Sequence, residues 1–252
     1  MSGDRAGAMP ARVVLVEDDA SIRRLVELAL EDLPVDLVAC ADAAQARQAL
    51  RDGAAALLLT DLMMPGESGL SLLQSLAADP RLRGPARLAV FSAGVDDETR
   101  AALAALGVWR VVHKPASMAA LQECVMQALA AQTEADSASA PGAADAGTSA
   151  VQQFFGGDRA LFLAFRASCQ AQFAADIVGG DAALAAGDLL ALRRLGHSLG
   201  SVLLTLGHAD AAAHARALDE AARAGGAADI AADIAAYWQT LRATLCRMQI
   251  AG

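Results

Sequence analysis

The chain has 252 residues, of which 55% are hydrophobic but only 4% aromatic, and it carries a formal net charge of -9. That balance argues against a nucleic-acid partner, because neutralising phosphates needs clustered Lys and Arg, and no transcription-factor output module is visible. The opening MSGDRAGAMP lacks the apolar core of a signal sequence, and no uninterrupted apolar run reaches the ~18 residues of a membrane span, so a cytoplasmic protein without membrane insertion is expected.

Residues 1–10 read as a disordered N-terminus. Strand-length apolar runs then follow in order, RVVLV, VDLVA, AALLLT, RLAVFS and WRVVH, separated by the helical patterns ASIRRLVELALED, DAAQARQALRD, SGLSLLQSLAAD and DDETRAALAAL. The helical SMAALQECVMQALAAQ closes the series. Such alternation predicts right-handed βαβ units: an α/β doubly wound domain with five parallel strands, covering residues 11–132. Residues 133–150, small and polar with Pro and Gly, have the composition of a flexible linker with a span of roughly 23 Å. Residues 151–252 show only helical periodicity and predict an all-α four-helix bundle, with Gly179 and Gly180 as a candidate break or bend. Cys40, Cys124, Cys169 and Cys246 have no CxxC spacing and read as buried free thiols.

In an open parallel sheet, ligands sit beyond the carboxyl ends of the strands. Glu17 and Asp18 follow the first strand, Asp61 the third, Ser92 closes the fourth and Lys114 follows the fifth. If these strands are neighbours, the side chains converge. Clustered carboxylates persist as shared-proton acids or as ligands of a hard cation, and oxygen ligands with room for water suit Mg²⁺. A cation there would screen Asp61 enough for it to attack a phosphoryl group as a nucleophile, with Lys114 pairing a phosphoryl oxygen and Ser92 donating a hydrogen bond to another. Lys114 is the only lysine among 20 basic residues, which suits a need for a compact ammonium at that point; chance placement is the alternative. Taken singly, Asp18 or Asp19 could merely cap the helix starting near Ala20, and Ser68 the helix after it in GLSLLQSL. Asp61 stands too far ahead of the next helix to cap it.

Within LRRLGHSLGSVLLTLG, Leu192, Leu195, Leu199, Val202, Leu203 and Leu206 gather on one helical face, while His197 points nearly the opposite way. His197 is therefore expected to face solvent, with Arg193 and Arg194 one turn before it and Gly200 and Ser201 one turn after. An imidazole so placed could accept a phosphoryl group from an aspartyl phosphate; an ordinary solvated histidine is the alternative.

The run D-x-x-M-P-G-x-x-G, filled by Asp61, Met64, Pro65, Gly66 and Gly69, together with the acidic pair, the Ser92-Ala93 and the Lys114-Pro115, resembles a response-regulator receiver domain. The resemblance implies Asp61 as phosphoacceptor, Glu17 and Asp18 as Mg²⁺ ligands together with the Met63 carbonyl, Ser92 and Lys114 as phosphoryl-holding groups, and a cis Lys114-Pro115 bond. Val111 stands where such domains usually carry an aromatic switch residue, and Trp109 is out of register with it. Residues 151–252 resemble, more loosely, a histidine phosphotransfer (HPt) domain, on RRLGHSLGS, Gly207 and ALDEAAR, although Gly200 and Ser201 replace the usual Lys-Gly.

Together these imply a phosphorelay protein in a two-component system. Asp61 would take phosphate from a sensor histidine kinase, and His197 would exchange it with a receiver aspartate, its own or another chain's; no turnover enzyme is expected. The alternatives are a receiver controlling a non-transferring, docking helical domain, and a magnesium-dependent phosphatase of the haloacid-dehalogenase type. The latter usually carries an Asp where Met63 stands.

Overall fold

The computed structural model describes residues 10–130, 149–225 and 228–250. The expected disordered N-terminus and almost all of the expected linker lie outside the described residues.

The first domain runs β1 (Ala11–Val16), α1 (Ala20–Leu30), β2 (Val35–Cys40), α2 (Ala43–Asp52), β3 (Leu57–Thr60) and α3 (Gly69–Ala78). It continues through α4 (Pro80–Arg83), β4 (Arg87–Ser92), α5 (Asp97–Ala105), β5 (Val108–His113) and α6 (Met118–Ala130). The strands form one parallel sheet in the order β2-β1-β3-β4-β5. Both faces of its centre are covered, which is why β3 reads as an unbroken apolar run and not as an alternation. Sequence periodicity missed α4, a single turn with Pro80 in its first turn and capped by Asp79, too short to show a repeat. Caps fix the helix starts: the Asp19 carboxylate accepts from the Ser21 and Ile22 amides, and the Ser68 hydroxyl from the Ser71 amide.

Strand register sets the site. Val16 pairs with Thr60 and Ser92 with His113, so Glu17 and Asp61 emerge side by side at the carboxyl edge, with Ser92 and Lys114 on the next two strands.

The C-terminal region is helical: α7 (Ala150–Phe155), α8 (Arg159–Ala186), α9 (Leu189–Thr205), α10 (Ala209–Ala224) and α11 (Ala228–Ile250). The expected break at Gly179-Gly180 does not occur. Helix α8 passes straight through both glycines, because Gly180 is where the Trp238 ring of α11 lies against the backbone, and a Cβ there would collide with it. The Trp238 indole N–H donates to Asp181 Oδ1 at 2.9 Å, fixing the ring over the glycine. Gly180→Val should therefore cost about 2 kcal/mol by overpacking, measured by urea denaturation; an unchanged midpoint would mean the Trp238 contact is not tight.

The two regions share one apolar core. Ile22, Leu25 and Val26 of α1 are buried in the same cluster as Phe165, Cys169 and Phe173 of α8. The thiols of Cys40, Cys124 and Cys169 are buried and that of Cys246 partly so, all four unpaired.

Candidate functional site

At the carboxyl edge of the sheet, Lys114 Nζ donates to Glu17 Oε2 at 2.6 Å and to Asp61 Oδ2 at 2.8 Å. These groups are 6%, 1% and 3% exposed respectively, while Asp18 is partly open. Asp61 Oδ1 accepts from the amides of Leu62 (2.6 Å) and Met63 (3.2 Å), so the turn after β3 aims the carboxylate. Ser92 is buried beside it, its hydroxyl reaching the Gly94 carbonyl at 3.4 Å. The Lys114-Pro115 bond is cis.

The electrostatics follow from burial. Desolvation pushes Asp18 up to about 6, with the Asp61 charge adding to it and Lys114 opposing. Glu17 is raised chiefly by burial, against the pull of Lys114. Burial alone would lower Lys114, but the carboxylates of Glu17 and Asp61 outweigh it and hold the ammonium charged. Glu17, Asp18 and Asp61 each offer an oxygen within 4.8 Å of the others. Three acids held that close with one ammonium between them form an oxygen donor set with excess negative charge, which fits a hard divalent cation.

The Val111 position expected to lack an aromatic switch is partly buried, and Trp109 is held elsewhere, flanked by the guanidinium groups of Arg87 at 5.0 Å and Arg110 at 5.9 Å from its ring centroid.

His197 corrects an expectation. It is not solvent-facing: its side chain is only 11% exposed, enclosed by Asp219 and Arg216 of α10 and by Gly94, Lys114 and Met63 of the first domain. The apolar stripe itself is as expected, with Leu192, Leu199, Val202, Leu203 and Leu206 buried. His197 Nδ1 lies 3.2 Å from Asp219 Oδ2 on α10, and Arg193 Nε 3.4 Å from the other Asp219 oxygen. The close approach of α10 needs Gly196, where a Cβ would stand 2.7 Å from the Ala215 carbonyl oxygen and 2.9 Å from the Asp219 nitrogen. His197 Nε2 is shielded from solvent and has no hydrogen-bond partner among the described residues. An Nδ1–H held by Asp219 leaves the Nε2 lone pair as the free nucleophilic position.

The same face of α9 is tied to the sheet edge. The Ser198 hydroxyl donates to Asp19 Oδ2, and Arg193 Nη2 reaches Met63 Sδ at 3.9 Å. His197 lines a cavity of about 200 Å³ with Gly94, Lys114, Gly200 and Arg216, and a second of about 550 Å³ with Leu62, Met63 and Ser92. Sequence reading missed Asp219 and Arg216 as neighbours of His197; Asp219 lay in the noted ALDEAAR, but its pairing exists only once α9 and α10 pack.

Asp176 of α8 sits at the same seam, near Asp19. Burial pushes its carboxyl up to about 6 from 3.8, against its Gln172 hydrogen bond and with Asp19 adding to the rise. The folded protein thus holds this proton more tightly than the unfolded chain does. That stabilisation is present at low pH and lost as pH rises through about 6. Asp176→Asn should raise stability by about 2 kcal/mol near pH 8 and by clearly less near pH 5; equal gains at both, by denaturant titration, would contradict it.

A parallel doubly wound sheet with acids and a lysine at its carboxyl edge defines an α/β domain with an acidic, cation-suited pocket beyond its strand ends. Comparison makes the class specific: residues 13–126 match the response regulator receiver domain. The chain is 34% identical over 114 residues to the chemotaxis protein CheY of Pseudomonas aeruginosa, covering 44% of this chain and 90% of that protein. It is 35% identical over 71 residues to the DNA-binding response regulator MtrA of Mycolicibacterium paratuberculosis, covering 28% of this chain and 32% of that one, so the match spans about a third of that relative. A response regulator receiver protein of Pseudomonas putida matches in structure with a TM-score of 0.44 and 31% identity, covering 48% of this chain and 98% of that one. This chain belongs to the response-regulator receiver family, and its first domain is the receiver domain of a two-component response regulator. The family match ends at residue 126, so the helical region is read from its own geometry.

Proposed function

We propose that this is a two-component phosphorelay protein in which Asp61 accepts a phosphoryl group from a sensor histidine kinase and His197 exchanges phosphate with a receiver aspartate. Helices α8–α11 then serve as a four-helix HPt-type bundle, in contact with other receiver or HPt proteins of the relay. The observation that carries the reading is the contrast between two prepared groups: Asp61 held by backbone amides and Lys114, and His197 with Nδ1 held by Asp219 and Nε2 left free.

Glu17, Asp18 and Asp61 would hold Mg²⁺, joined by the Met63 carbonyl on grounds of family resemblance. When bound, the cation supplies charge neutralisation for an incoming phosphoryl group. The chain's own residues do the rest. The Leu62 and Met63 amides orient Asp61 so that one carboxylate oxygen faces the phosphorus. Lys114 moves from the carboxylates to a phosphoryl oxygen as charge develops there, and the Ser92 hydroxyl turns from Gly94 to another. Asp219 steadies the imidazolium that forms when Nε2 takes the phosphoryl group. Among the described residues no helix is long and apolar enough to cross a membrane, in keeping with a cytoplasmic kinase partner.

The test uses the full chain with a radiolabelled, autophosphorylated histidine kinase. The expected result is hydroxylamine-sensitive label on Asp61, absent in Asp61→Asn, and acid-labile, base-stable label on His197, absent in His197→Gln. Label on Asp61 alone, even with phosphorylated partner receivers supplied, would leave the helical region as a docking module. Sustained release of phosphate from small esters would instead support a phosphatase.

A further inference from the structure

We propose that the aspartate served by His197 is Asp61 of the same chain, the phosphoryl group passing across the seam that Lys114, His197 and Arg216 line. The proposal rests on the phosphotransfer reading above and names its partner.

Three observations carry it. First, α9 is fastened to the sheet edge on both sides of the histidine: Ser198, next in sequence, bonds to Asp19, and Arg193, one turn earlier, reaches Met63. Asp19 and Met63 stand two residues beyond Glu17 and Asp61. The contacts thus bracket the acid cluster as well as the histidine. The apolar packing of α1 on α8 holds the same arrangement over a larger area.

Second, the unpartnered Nε2 of His197 is buried in that seam and not at an outer surface, in cavities whose other walls include Lys114, Ser92 and Met63. An aspartyl phosphate on a separate protein would need this face of α9 free, and the chain's own sheet edge already lies against it.

Third, the seam holds a cation suited to a group in transit. Asp219 and Glu220 line it, and Lys114 is committed to two carboxylates. Arg216 is exposed at its mouth with no hydrogen bond or ion pair among the described residues, its stem lying over Gly200, where a Cβ would touch its Cγ at 3.4 Å. Gly200 thereby gives a neighbouring helix's guanidinium access to the space beside His197.

The step balances. The bond from Asp61 Oδ to phosphorus breaks as the neutral Nε2 lone pair forms the new N–P bond. The carboxylate leaves as an anion, and the imidazole keeps its Nδ1 proton against Asp219 and carries the positive charge.

The experiment loads the full chain with labelled acetyl phosphate and magnesium, then follows label from hydroxylamine-sensitive to base-stable form over a range of protein concentrations. The expected rate is independent of concentration, and at micromolar protein an equal mixture of Asp61→Asn and His197→Gln chains transfers about a hundredfold more slowly, because the tether supplies an effective concentration in the millimolar range. Arg216→Ala should slow the transfer about tenfold, with Arg216→Lys recovering most of it. A rate that rises in proportion to concentration, or a mixture as fast as the intact chain, overturns intrachain exchange while leaving His197 a phosphotransfer residue. Label that never becomes base-stable, even when a separate phosphorylated receiver is added, overturns both.

Discussion

Lys114→Ala should cost the protein about 3 kcal/mol or more of unfolding free energy, the penalty typical of removing one partner from a buried ion pair. The side chain is 2% exposed and its ammonium is bonded to both Glu17 and Asp61, the one cation so placed among the described residues. Without it two buried carboxylates face each other and Asp18 with no compensating charge, and the cheapest escape is to take up protons. Stability of the variant should therefore improve as pH falls toward 5, and magnesium should recover part of the loss at neutral pH, since a divalent ion neutralises the same acids. Urea denaturation with and without magnesium measures both effects. A variant as stable as the parent in chelator would mean that Lys114 and the acids are not packed as described.

Gly69→Ala should be nearly as damaging, for a steric reason. An added Cβ would run into the carbonyl oxygen of Asp61 and stand 3.0 Å from Thr60 Oγ1. The first residue of α3 and the end of β3 are in backbone contact, so one must move, at about 3 kcal/mol. The moving part is the turn whose amides aim Asp61, and a displacement of that turn should lower phosphoryl acceptance by about a hundredfold. Comparing acetyl phosphate labelling of folded Gly69→Ala and parent protein decides it: equal labelling would show that the turn tolerates the shift.

The receiver half was legible because its signals are local. Apolar runs of strand length alternating with helical patterns point to a covered parallel sheet, and the polar residues that close or follow the first, third, fourth and fifth runs then gather at one edge. The structure brings Glu17, Asp18, Asp61, Ser92 and Lys114 together there as expected. What failed depended on packing between distant segments. Helical periodicity placed His197 opposite the leucine stripe correctly, but periodicity describes one helix, and it took α10 and the sheet edge together to bury His197. Gly179 and Gly180 looked like a break because glycine weakens an isolated helix; at Gly180 the absence of a side chain is what admits Trp238, a residue 58 positions away. Asp219 and Arg216 carried no signal as neighbours of His197, since acids and arginines on an amphipathic helix are ordinary.

On this reading the acid cluster at the sheet edge makes Asp61 a phosphate carrier. Intact-mass spectrometry of the His197→Gln chain, from which the label cannot pass to the imidazole, after incubation with acetyl phosphate and magnesium is the decisive measurement. The expected result is a gain of one phosphoryl group that hydroxylamine removes, that chelator prevents and that the same chain carrying Asp61→Asn lacks. A His197→Gln chain that stays unmodified, or one modified to the same extent after Asp61→Asn, would overturn that role for Asp61.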